Sequence, residues 1–189
     1  MTVTFTRMKD GTRQEYDYLD SRERDFNRGL PDRIIRALQE LDASFDGHRV
    51  TRLEHSLQAA TRALRDGRDE EYVVTALVHD VGDNLAPYTH SEMVGALVRP
   101  FVRPQLTWIA RHHGVFQQHY YTNLPWPARN ARDRFRDSPW FDDCAEFCEL
   151  YDQESFDPTY DALPLASFEP ALGRIFAEPR YLREEATAS

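Results

Sequence analysis

The run from Tyr72 to Asp83 is mostly apolar, yet near its end it delivers an imidazole and a carboxylate side by side, His79 and Asp80. Burying such a pair is costly unless a compensating charge is supplied, and a metal ion supplies it well. Further residues of ligand type are His55, His90, His112 and Asp152. His55 and His79 lie 24 residues apart with the turn-forming Gly67 between them. At about 1.5 Å of rise per residue, roughly ten residues lead from His55 to the turn and roughly ten lead back, so an antiparallel helix pair returns both imidazoles to one height. His90 and His112 flank the Pro100 to Pro104 break in the same way, and Asp152 sits on a later helix one turn beyond Cys148. Four neutral imidazoles and two carboxylates, with no thiolate, favour a borderline to hard divalent metal with open positions, iron or manganese ahead of zinc.

The elements that must position these residues read as helices throughout. Arg13 to Asn27 is a strongly charged helix with Tyr16, Leu19 and Phe26 as a sparse apolar face, so residues 1–30 read as a cover segment. Pro31 to Ser44 places Ile34, Ile35, Leu38 and Leu41 at helical spacing. Thr51 and Glu54 form a capping box that opens a helix carrying His55 and ending at Asp66-Gly67. Glu70 to Asp80 is apolar on nearly every side, as a central helix must be. Ser91 to Phe101 and Gln105 to His113 come next, separated by prolines that discourage helix just before them. Residues 114–139 form a loop-rich insertion that reads as a lid, Trp140 to Asp152 resumes helical spacing, and Leu165 to Phe176 makes a final amphipathic helix. The expected fold is all-α, a single domain over 1–189 with a metal-binding core over 45–158.

Composition narrows the partner. A net charge of -9 with a pI near 5.2 argues against nucleic acid and membrane surfaces, both polyanionic, and points to a small-molecule substrate. No apolar run is long enough to span a bilayer and the N-terminus has no signal-like hydrophobic segment, so a cytoplasmic location is expected. Cys144 and Cys148, four apart on a helix, read as two buried thiols on one face rather than a disulfide.

The order His55, His79-Asp80, His90, His112, Asp152 resembles the HD-domain superfamily, and within it the mixed-valent diiron oxygenases, which include myo-inositol oxygenase and the phosphonate oxygenases. The segment from Ile109 through His112 to His119 and the Ser138-Pro-Trp140 step look like inositol oxygenase. The His-to-His-Asp spacing and His90-Ser-Glu-Met-Val-Gly-Ala96 look closer to the phosphonate enzymes. The resemblance implies an HD-type helical bundle with two iron ions, Fe(II)/Fe(III), and O2 as co-substrate. One ion would take His55, His79 and Asp152, the other His90 and His112, with Asp80 bridging as the catalytic ligand.

Further implications concern the substrate. Phe45-Asp46-Gly47-His48 falls where the phosphonate oxygenases close a tyrosine and a glutamate over the iron, which nominates Phe45 and His48. At positions where those enzymes carry basic groups this chain has Asp83, Phe116 and Glu149, which suit a cationic tail. His113 and Gln117 are available as donors to an anion. The implied reaction is oxidative carbon–phosphorus cleavage of a hydroxyphosphonate such as 1-hydroxy-2-(trimethylammonio)ethylphosphonate to glycine betaine and phosphate. The rival reading is a divalent-metal phosphohydrolase acting on a nucleotide or small phosphoester.

Overall fold

A computed structural model describes residues 2–181; the ends of the expected domain, residue 1 and residues 182–189, lie outside the described residues. Nine α-helices and several shorter turns make up the described chain, and no strand occurs among the described residues, so the fold is all-α.

Local chemistry sets the boundaries. Helix α1 (Arg13–Arg28) opens on a capping box between Thr12 and Glu15 and is followed at once by α2 (Leu30–Glu40). Its expected apolar face is not used as one: Phe26 is 63 % exposed under the Arg33 guanidinium, and the residue α1 buries is Glu15, held by Thr4 and Thr12. Helix α3 (Arg52–Arg65) opens on the second capping box, Thr51 with Glu54, and Gly67 at φ +75 turns the chain into α4 (Glu70–Val78). Asp69 caps α4, accepting from the Tyr72 N–H at 2.9 Å. Every residue of α4 from Tyr72 onward is buried, and the helix packs against α3, α6 and α9.

Two departures from the expected boundaries bear on the site. Helix α4 stops before His79, so the His79-Asp80 pair stands on the first of several successive turns through Asp83 rather than on the helix itself. After α5 (His90–Val98), α6 spans Pro104–Gln117, four residues beyond the expected end, and it absorbs Gly114 to Gln117 from the expected lid. Gly114 lies against α5, where a Cβ would stand 2.6 Å from the Ser91 Oγ. Gly95 makes the matching close approach, where a Cβ would meet Arg111 Cβ at 2.8 Å. The remaining insertion carries a short helix α7 (Trp126–Arg129) and is anchored by Phe135, whose ring packs edge-on against Trp108 and His112.

The expected helix over Trp140 to Asp152 is α8 (Phe141–Phe147) followed by a π-turn over Cys148–Asp152, in which the Gln153 N–H donates to Cys148 O at 3.0 Å. A widened turn of this kind inserts one extra residue and rotates the side chains beyond it to new directions. Here the re-aimed residue is Asp152. Helix α9 (Glu169–Ile175), shorter than expected, closes the core with Leu172, Ile175 and Phe176.

Candidate metal centre

Five of the six expected ligands converge. His55 from α3, His79 and Asp80 after α4, His90 at the start of α5 and Asp152 from the π-turn face one another, and the sixth member of the cluster is His113 rather than His112. Asp80 divides its oxygens. Its Oδ2 lies 3.4 Å from His55 Nε2 and 3.5 Å from His79 Nε2, whereas its Oδ1 lies 3.4 Å from His90 Nε2 and 3.3 Å from His113 Nε2. Asp152 Oδ1 stands 3.4 Å from His55 Nε2 and 3.8 Å from His79 Nε2.

His112 points elsewhere. Its Nδ1 faces Trp108 O at 2.8 Å and its ring stacks on Trp108 at 4.1 Å. The inward stripe of α6 is Leu106, Ile109, Ala110, His113, Phe116 and Gln117, so position 113 is in helical register with the core and position 112 is not. The periodicity through Ile109, Ala110 and Phe116 is the signal that singles out His113.

The donor set fits a metal. Each cluster histidine directs Nδ1 at an acceptor: His55 at Ser155 O (3.0 Å), His79 at Ala76 O (2.7 Å), His113 at Ala110 O (2.8 Å) and His90 at Asp83 Oδ1 (3.1 Å). A proton on Nδ1 satisfies these contacts and leaves Nε2 free to take a further proton or a metal ion. Yet the Nε2 atoms of His55 and His79 face each other at 3.0 Å, and those of His90 and His113 at 3.2 Å. Nitrogens brought this close must share either a proton or a metal ion. Asp152 Oδ2 is likewise buried without a hydrogen-bond partner.

Charge points the same way. Of three buried carboxylates, Asp80, Asp83 and Asp152, the first two pair with the Arg52 guanidinium, which lies 3.3 Å from Asp80 Oδ2 and 2.9 Å from Asp83 Oδ2. Burial works against ionising Asp80, but the surrounding imidazoles and Arg52 hold its pKa well below the usual carboxylate value. Asp152 is lowered in the same sense, against its burial, chiefly by the His55 hydrogen bond. Burial pushes His79 down to about 4, whereas the carboxylates outweigh the burial of His55 and His113 and raise both. On protein groups alone, the cluster draws in positive charge.

A cavity of about 330 Å³ opens on the Asp80, His90, His113 and Asp152 side of the cluster. Of the expected substrate residues, His113 and Gln117 line it, and the Gln117 Oε1 is buried there without a partner. The others do not line it. Asp83 lies behind His90, engaged with it and with Arg52. Phe116 is fully buried between Trp108, Phe135 and Phe141. Glu149, one residue on from the buried Cys148, is exposed outside the cavity. Phe45 and His48 are exposed one ring away: His48 packs at 5.0 Å on Phe156, which stacks on His55 at 4.4 Å and itself lines the cavity. The residues not foreseen are Arg52, Arg111, Ser91 and Phe156. For Arg52 a signal existed: it precedes His55 by three on α3 and so shares its face.

Fold and site together define an all-α protein with a buried histidine–aspartate cluster able to hold metal. No family model matches the chain. Over 95 residues it is 30 % identical to a [1-hydroxy-2-(trimethylamino)ethyl]phosphonate dioxygenase (glycine-betaine-forming) from Leisingera caerulea, an alignment covering 44 % of this chain and 48 % of that protein. The chain therefore spans about half the length of the curated relative it matches. Among the described residues no helix is long and apolar enough to cross a membrane.

Proposed function

We propose that the protein is a diiron oxygenase of the HD-domain type that uses O2 to cleave the carbon–phosphorus bond of a small 1-hydroxyphosphonate, with 1-hydroxy-2-(trimethylammonio)ethylphosphonate as the candidate substrate and glycine betaine and phosphate as products. The observation that carries this reading is the split of Asp80 between two sets of imidazole nitrogens. The partial similarity to a phosphonate dioxygenase supports it.

In this reading His55, His79, Asp152 and Asp80 Oδ2 hold one ion, and His90, His113 and Asp80 Oδ1 hold the other. When bound, the pair of irons supplies a redox couple for O2 and Lewis acidity toward the substrate hydroxyl. The chain does the rest. Arg52, Arg111 and Ser91 line the cavity and offer charge and hydrogen bonds to a phosphonate. Tyr88, Tyr121 and Phe156 present aromatic faces beside Glu92, the surroundings that hold a quaternary ammonium, in place of the expected Asp83, Phe116 and Glu149. Phe147, packed against the edges of His79 and His113, and Phe156 over His55 shield the imidazoles from water.

Anaerobic iron loading followed by partial oxidation tests the reading. The expected result is a spin-coupled mixed-valent EPR signal, O2 uptake that depends on the hydroxyphosphonate, and stoichiometric phosphate release. Turnover of phosphoesters with manganese under nitrogen, without O2-dependent cleavage, would instead establish a phosphohydrolase.

A further inference from the structure

The four cluster histidines are not held alike. His55, His79 and His113 each set Nδ1 against a backbone carbonyl, a neutral acceptor that no side-chain substitution removes. His90 alone is set by a side chain, Asp83, whose Oδ1 lies 3.1 Å from His90 Nδ1 and whose Oδ2 lies 2.9 Å from Arg52 Nε. His90 is also the most exposed of the four, on the first residue of α5, where no capping side chain fixes the turn.

We infer that Asp83, clamped by Arg52, is the positioning residue of the second metal position alone: it locks His90 in the Nδ1-protonated form and makes that imidazole the strongest electron donor of the four. The inference rests on the two-metal reading above. A carboxylate acceptor raises the basicity of a ligating imidazole more than a carbonyl does, and losing such a partner typically weakens metal affinity by about 10–100-fold. The histidines of the first position have no such partner, because Ser155 O and Ala76 O orient them, and the Asp83–Arg52 pair reaches that position only through Arg52 at 3.3 Å from Asp80 Oδ2. The two positions are thus made unequal by what stands behind their ligands. Asp83 also lies three residues after Asp80, in the turn that leads from the bridging ligand toward α5, so one short stretch of chain carries both the shared ligand and the device that tunes one side of it.

Manganese(II) alone serves as the probe, titrated into the apo-protein with free and bound metal read by EPR, for wild type, Asp83→Asn and Asp83→Glu. Wild type is expected to take two ions with a spin-coupled dinuclear signal. Asp83→Asn should keep the first ion within about threefold and bind the second about 10–100-fold more weakly, losing the coupled signal at equal free manganese. Asp83→Glu, which keeps the charge but displaces the acceptor, should fall between the two. Unchanged affinity at both positions in Asp83→Asn, or an equal loss at both, overturns the inference. If circular dichroism shows Asp83→Asn unfolded, Asp83→Glu decides, and an unweakened second position overturns it. Wild type that takes fewer than two ions overturns the two-metal reading and this inference with it.

Discussion

His112 and His113 are neighbours in sequence and face opposite environments: His113 Nε2 lies 3.3 Å from Asp80 Oδ1, while the His112 ring stacks on Trp108 at 4.1 Å, half-buried and clear of the cluster. The divergence comes from helix geometry, in which successive side chains point about 100° apart.

The pair gives a direct contrast. His113→Ala is expected to lose the second bound metal. His112→Ala should keep both metals and cost the ring contacts to Trp108 and Phe135 and the hydrogen bond to Trp108 O, about 1–3 kcal/mol together. Metal analysis by mass spectrometry, alongside urea denaturation, checks both; equal metal loss in the two variants would contradict the placement.

Gly114 is where α5 and α6 meet over the site. A Cβ there would press on Ser91 Oγ at 2.6 Å and stand 3.8 Å from His90 Nε2. Only the Ser91 hydroxyl need turn aside for Gly114→Ala, whereas Gly95→Ala, whose Cβ would meet Arg111 Cβ at 2.8 Å and Cα at 3.1 Å, should destabilise by about 1–3 kcal/mol despite its better helix propensity and weaken metal binding by displacing α5. A Gly95→Ala variant as stable as wild type in urea would show that the helices can separate freely.

Metal removal should lower stability through linkage. If the cluster binds metal only when folded, saturation at about 100 times Kd adds about 2.7 kcal/mol. Differential scanning calorimetry is expected to show a higher transition temperature with added manganese than with chelator. Coincident transitions would mean that the cluster does not bind the ion preferentially in the folded state.

A pH dependence is expected at the N-terminus, away from the cluster. Hydrogen bonds from the Thr12 and Thr4 backbone, then from their hydroxyls, lower Glu15 from 4.5 to about 2. The folded value is the depressed one, so the stabilisation is complete above the unfolded value and fades as pH falls from about 4.5 toward 2. Glu15→Gln should thus be less stable than wild type at pH 6 and converge with it near pH 2. A stability difference that does not change with pH would remove the carboxylate from the explanation.

Local patterning was enough to specify the helical class, the capping box at Thr51, the central place of α4 and five of the cluster residues, because each is written in the spacing of near neighbours. An apolar run such as Val73 to Val78 can only be buried, and a His-Asp pair at its end is buried with it. Packing in three dimensions chose which face meets which neighbour. Helix α5 packs on α6 across Gly95 and Gly114, and the inward stripe of α6 selected His113. The π-turn carries Asp152 into the cluster, and the approach of α3 to the turn after Asp80 placed Arg52 against Asp83. Those outcomes rest on contacts between residues far apart in the chain, whose energies no local pattern records.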